Sequence, residues 1–158
     1  MAMEMFVLSD RELSSIAEWQ TAIDAEGYPV RLDHDIQLET HAGFLPAHLC
    51  SKSTGFECNH FPATEFIREI RKMSNVNIGH DWKCVLAFRW RGDLDELQAA
   101  CMAAAAYASA VNGVVFDEQD ANIRSAAEAR ENVQKIVHDI PKIEAVMRES
   151  GGANGRTH

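Results

Sequence analysis

Basic residues are scarce. Fifteen Lys and Arg stand against 24 Asp and Glu, for a net charge of −9. That imbalance argues against nonspecific binding to nucleic acid or to an anionic membrane, since both attract cationic surfaces. A basic protein partner is the kind it suits. Long apolar runs are also lacking. The nearest approach, Ala99 to Ala106, is shorter than the roughly 18 residues of a membrane span and is built mainly of weakly hydrophobic alanine. The opening Met1-Ala2-Met3-Glu4-Met5-Phe6-Val7-Leu8 carries no basic leader and no long apolar core, so no secretory signal is read and the cytoplasm is the expected compartment. The four cysteines, Cys50, Cys58, Cys84 and Cys101, include no CxxC pair and are expected as reduced, mostly buried thiols. There is no Gly-x-Gly-x-x-Gly, phosphate loop, Gly-x-Ser-x-Gly elbow or His-Glu-x-x-His, and basic residues do not cluster with aromatics as they do in nucleic-acid platforms.

What the chain does hold is a dense apolar centre from Trp82 to Asp117. Trp82 to Trp90 alternates as a strand, with Trp82, Cys84, Leu86, Phe88 and Trp90 on one face. Its middle is apolar on both faces, which suits a central strand. Asp93-Leu94-Asp95-Glu96 has the form of a capping box opening an alanine-rich helix that ends at Gly113. The small side chains from Ala103 to Ala106 would let the helix come close to the sheet. Val114-Val115-Phe116-Asp117 is a second strand, so one β-α-β unit is expected with the rest of the chain packed on it.

The remaining elements follow from periodicity and punctuation. Met5 to Leu8 is a strand, and Ser9 with Glu12 forms a capping box for a helix that ends at Gly27. Tyr28 to Leu32 is a short strand, with Pro29 favouring an edge or a strand start. Residues 33–43 read as a loop or an irregular edge segment. Leu45 to Phe61 reads as a hairpin turning at Lys52-Ser53-Thr54-Gly55. A four-residue loop pairs Leu49 with Cys58 and gathers Leu45, Ala47, Leu49, Phe56 and Cys58 on one face. A three-residue loop instead pairs Cys50 with Cys58 and His48 with His60. The first register has the cleaner amphipathic pattern and is preferred. Thr64 caps a short helix through Met73. Ser125-Ala126-Ala127-Glu128 opens a long helix that Pro141 is expected to kink or restart, with Asp139 as a new cap.

The resulting order, β-α-β-β-β-α-β-α-β-α, predicts an α+β fold. A ferredoxin-like sandwich or an elaboration of it fits best, with a mostly antiparallel sheet and the helices on one face. Residues 1–149 make one domain, and glycine-rich residues 150–158 a disordered tail.

Three groups of side chains offer chemistry. His48, Cys50, Cys58 and His60 would share a face under the three-residue loop, as four zinc ligands must. The preferred register separates Cys50 from Cys58, so no metal and no cofactor is assigned. Asp33, His34, Asp35, Glu39 and His41 form an acidic and histidine loop. Asp117, Glu118 and Asp120 follow the end of a core strand, a common position for sites.

The Ser9-to-Gly27 opening and the alanine-rich helix leading into Asn112-Gly113-Val114-Val115-Phe116-Asp117-Glu118-Gln119 resemble small bacterial cytosolic proteins, some of them similar to immunity proteins of polymorphic or contact-delivered toxin systems. The resemblance implies a non-enzymatic inhibitor that occludes the active site of a cognate toxin, and it transfers no functional residue. The acidic residues Asp33, Asp35, Glu39, Asp117, Glu118 and Asp120 are the expected partner-binding patch for a basic toxin domain. A different reading is a small ligand-binding or enzymatic domain using the loop 33–41, with a pocket between that loop and residues 113–120. A third is a homo-oligomer joined through the exposed edge of the hairpin.

Overall fold

The computed structural model describes residues 3–73, 78, 80–118 and 122–155. The elements run β1 (Met3–Ser9), α1 (Ile16–Ala25), β2 (Val30–Leu32), β3 (Gly43–Leu49), β4 (Lys52–Pro62), α2 (Ala63–Met73), β5 (Cys84–Trp90), α3 (Leu94–Val111), β6 (Val114–Asp117), β7 (Asn122–Ser125) and α4 (Ala126–Gly155). Each expected element is present in the expected order. The addition is β7, whose Asn122-Ile123-Arg124-Ser125 offers one apolar residue and no alternation to read.

The fold is α+β. One seven-stranded sheet has the order β2-β3-β4-β5-β1-β6-β7, and every neighbouring pair is antiparallel. Both β5 and β6 run antiparallel to β1, which lies between them. The β5-α3-β6 unit is therefore split, with β1 inserted. By the same logic β1 and β4 are parallel and separated by β5. The two split units interlock as β4-β5-β1-β6, and β5 sits at the centre of the sheet as its two-sided apolar pattern predicts.

The helices do not all lie on one face. α1, α3 and α4 pack on the front of the sheet over Met5, Val7, Leu45, Phe56, Leu86, Phe88 and Val115. α2 lies on the reverse, where Ile67 and Ile70 cover Phe6, Leu8, Val85, Ala87 and Phe116. Strands that are apolar on both sides need a layer on each. The one-face expectation fails because it gave the reverse side of β1 and β5 no cover.

α3 is buried from Ala99 to Ala108 without a break. It is sandwiched by the sheet, α1 and α4, so it is apolar all round rather than along one stripe. The alanines make this possible, because elements on every side leave room for little more than a methyl group. Trp19 of α1 donates from Nε1 to the Ala103 carbonyl at 3.0 Å, and its ring meets Tyr107 edge-on at 5.2 Å.

The hairpin turns at Cys50-Ser51, not at residues 52–55. Leu49 pairs with Lys52, and Gly43 pairs with Cys58. Cys50 takes φ 60° at the turn. The preferred register is therefore wrong in position, yet its faces are right: Leu45, Ala47, Leu49, Phe56 and Cys58 are all buried on the front. A slip by an even number of residues leaves every side chain on its own face. The hairpin edge is not free either. β2 pairs with β3 and takes the sheet edge itself, as a strand of three residues.

Three helix boundaries also differ: α2 already begins at Ala63, so Thr64, expected as its cap, lies inside the helix. The cap of α1 is Ser15, whose Oγ accepts from Glu18 N–H at 3.1 Å, while the expected cap Ser9 donates to the Arg11 carbonyl at 2.7 Å. α4 runs unbroken through Pro141 to Gly155. Asp139 is thus an interior residue, and residues 150–155, predicted as tail, continue the helix.

Candidate protein-binding face

The sheet separates the expected acidic patch into two parts. The loop 33–41 follows β2 at one edge of the sheet. Asp33 is committed to the turn: its backbone N–H donates to Pro46 at 3.1 Å, and its carboxylate accepts from Asp35 N–H at 3.0 Å. Ile36 and Leu38 pack inward, which explains the weak alternation there, while His34, Asp35 and Glu39 are exposed. Asp117 ends β6 on the far side of β3, β4, β5 and β1. It pairs with Met5 near the start of β1, whereas the loop lies toward His60 of β4, whose Nε2 is 3.4 Å from the Leu38 carbonyl. Loop and strand end therefore lie on opposite sides of four strands, too far apart across the sheet to form one patch. Asp120 lies outside the described residues.

Asp117 is partly buried and paired with Arg124 at 3.3 Å. Glu118 is exposed, yet its carboxyl is raised above the usual range by partial desolvation and by the charges of Glu4 and Asp117. Glu4 thus joins two of the expected residues to form an acidic rim. The histidines and cysteines of the hairpin do not converge: Cys50 is in the turn, Cys58 is buried opposite Gly43, and His60 faces Leu86 of β5. Among the described residues no three His, Cys, Asp or Glu side chains come together as a metal site would need. No described helix is long and apolar enough to cross a membrane.

The feature that sequence reasoning missed is on the reverse of the sheet. α2 covers the side over β5, β1 and β6 and borders only the Phe61–Pro62 end of β4. Across β3 and β4 the reverse face stays open, and Phe44 and Phe61 stand there 53% and 47% exposed. Phe44 lies opposite Glu57, which is 4.0 Å from Arg89. Phe61 forms part of a shallow groove of about 320 Å³ with Glu4, Phe6, Pro62, Glu65, Phe66 and Glu69. The floor is rigid, because Phe6 packs on Phe66 at 4.4 Å and on Phe116 at 6.3 Å. The result is two exposed aromatic rings on one face, Phe61 among carboxylates and Phe44 beside Glu57, Glu96, Arg89 and Arg91. A signal for it exists in the sequence: Phe44 and Phe61 fall out of phase with Leu45, Ala47, Leu49, Phe56 and Cys58, on the strand face that alternation assigns to water.

Compared with protein-family models, curated proteins and solved structures, the chain matches none.

Proposed function

We propose that the chain is a non-enzymatic protein-binding module: an immunity protein, acting in the cytoplasm, that inhibits a cognate bacterial toxin by occluding its active site. The observation that carries this reading is the pair of half-exposed phenylalanines on the open reverse face, Phe61 among Glu4, Glu65 and Glu69, and Phe44 beside the Glu57–Arg89 pair. Aromatic anchors within a polar rim are the pattern of binding hot spots. Burying the remaining half of each ring contributes about 1 kcal/mol. The carboxylates select a partner that presents apolar side chains between Lys and Arg, and the net charge of −9 speeds its approach. Glu118 extends the same rim through Glu4, while Asp35 and Glu39 form a separate acidic surface.

The test is binding and protection. The chain is expected to capture the product of its neighbouring gene in a pull-down and to rescue growth when the two are co-expressed. The double variant Phe44→Ser/Phe61→Ser is expected to lose about tenfold or more in affinity, the equivalent of roughly 1.4 kcal/mol, while circular dichroism shows it still folded, with stability lowered by about 1 kcal/mol for each ring removed. Glu65→Lys/Glu69→Lys should slow association. The reading is wrong if the wild-type chain neither binds nor protects, or if the phenylalanine variant binds as tightly as wild type.

A further inference from the structure

α2 divides the reverse face between two charges. Glu65 and Glu69 line the aromatic groove on one flank. On the other flank Thr64, Ile67, Arg68, Arg71 and Lys72 line a larger groove, of about 620 Å³, bounded also by Asp81 and Trp82. Helical spacing produces this, since residues three and four apart share a flank. Among the described residues, three cations stand against Asp81 in the groove and Glu69 beside Lys72, a local charge of +1 (three minus two) within a chain of −9.

Those cations are available. Arg71 is 3.7 Å from Asp81, with the two side chains 53% and 95% exposed. Lys72 is 3.8 Å from Glu69, also at the surface. Such pairs hold weakly in water and yield to a better anion. Arg68 has no carboxylate partner among the described residues. The opposite wall is held in place: the His80 ring packs on Trp82 at 4.5 Å, and His80 Nε2 is 2.8 Å from Asp10.

We propose that this groove binds a phosphorylated small molecule with a planar ring, of the class of nucleoside monophosphates. The phosphate sits among Arg68, Arg71 and Lys72, and the ring lies against Trp82. One guanidinium satisfies a carboxylate, whereas three cationic groups match a phosphate dianion. The volume falls within the range of about 300–1,000 Å³ typical of small-molecule sites. Carboxylates farther away than about 8 Å are screened at physiological salt and leave the local sign in control.

Adenosine monophosphate titrated into the full chain tests this, read by calorimetry and by tryptophan fluorescence. Trp19 and Trp90 are 0% and 5% exposed, so quenching reports Trp82. A saturable quench is expected, with a Kd below about 1 mM and at least about tenfold tighter than for adenosine or inorganic phosphate alone. Arg68→Ala/Arg71→Ala should weaken binding about tenfold or more without changing the melting temperature, and Arg68→Lys/Arg71→Lys should recover part of the loss. Asp81→Asn should tighten binding by about two- to fivefold, since it removes a competing anion. Absence of saturation, undiminished binding by the alanine variant, or inorganic phosphate binding as tightly as the nucleotide would each overturn the proposal.

Discussion

Single residues show how tightly the front core is specified. The Tyr107 hydroxyl accepts from the Leu13 backbone N–H at 3.1 Å, so the loop before α1 is tied to α3 by a buried polar contact. At Gly55, φ is +155° and an added Cβ would run into the Phe44 ring. That ring thus shields a glycine on one side and faces solvent on the other. Burial also shapes the response to pH. It raises the Cys101 thiol to about 12, helped by Asp117, and raises the Tyr28 phenol to about 12, helped by Glu26. Cys58 and Tyr107 are pushed up as well, mainly by burial. In the unfolded chain these groups ionise near their ordinary values of 9.0 and 10.0, while the folded chain keeps its protons. Stability is therefore fully present below about pH 9 and is lost as pH rises through the folded values. Urea midpoints measured from about pH 7 to 11 should fall on the alkaline side. The fall should be shallower in Cys58→Ala/Cys101→Ala, and an equal slope would remove the thiols from this account.

At the scale of elements, helix ends are set by a few side chains. Ser125 Oγ accepts from Glu128 N–H at 3.1 Å, and Glu128 reaches back to Ser125 N–H at 2.9 Å. Ser15 caps α1, and Glu18 reaches back to Ser14 N–H at 2.9 Å, a bond that holds the Glu18 carboxyl below its ordinary value. Ser15→Ala and Ser125→Ala should each cost about 1 kcal/mol. Their effects should add in the double variant, since the two caps are independent; chemical denaturation measures both. The second box was legible as Ser-x-x-Glu. The first was misassigned because Ser9 and Glu12 have the same spacing as Ser15 and Glu18, and only burial of Ser9 at the end of β1 distinguishes them. The hairpin failed in a related way. Gly55 looks like a turn residue, but it serves mid-strand beneath Phe44, where it keeps a positive φ of 155°, and the turn itself is made at Cys50 with φ 60°. Alternation is local and survived. Register, the reverse-face position of α2 and the gap between Asp35 and Asp117 depend on contacts distant in sequence, which periodicity does not encode. The acidic rim was half legible, since Asp117 and Glu118 follow an apolar strand, whereas Glu4 joins them only through pairing of β1 with β6.

The whole molecule rests on β1 and β5. β1 pairs with β5 on one side and β6 on the other, and β4 reaches β1 only through β5. A fragment of residues 1–81 holds β1, β4 and both of the first two helices, yet neither neighbour of β1. It should be unfolded by circular dichroism and by amide chemical-shift dispersion. A folded fragment would mean that the hairpin and α1 form a core of their own. The same arrangement explains the two-sided use of the sheet. The front is filled by α1, α3 and α4, and the reverse by α2 alone, which leaves two exposed aromatic rings on one flank and a cationic groove on the other.

The placement of β1 has a consequence in time. Met5-Phe6-Val7-Leu8 leaves the ribosome long before its second partner, β6, which ends at Asp117. At about 5–20 residues per second, that interval is on the order of 5 to 20 seconds. Until β5 is complete at Trp90 a strand destined for the middle of the sheet has both edges unpaired, and one edge stays open until β6 follows. During synthesis the stretch most in need of a chaperone is therefore this early strand, even though it is among the best-covered parts of the finished fold.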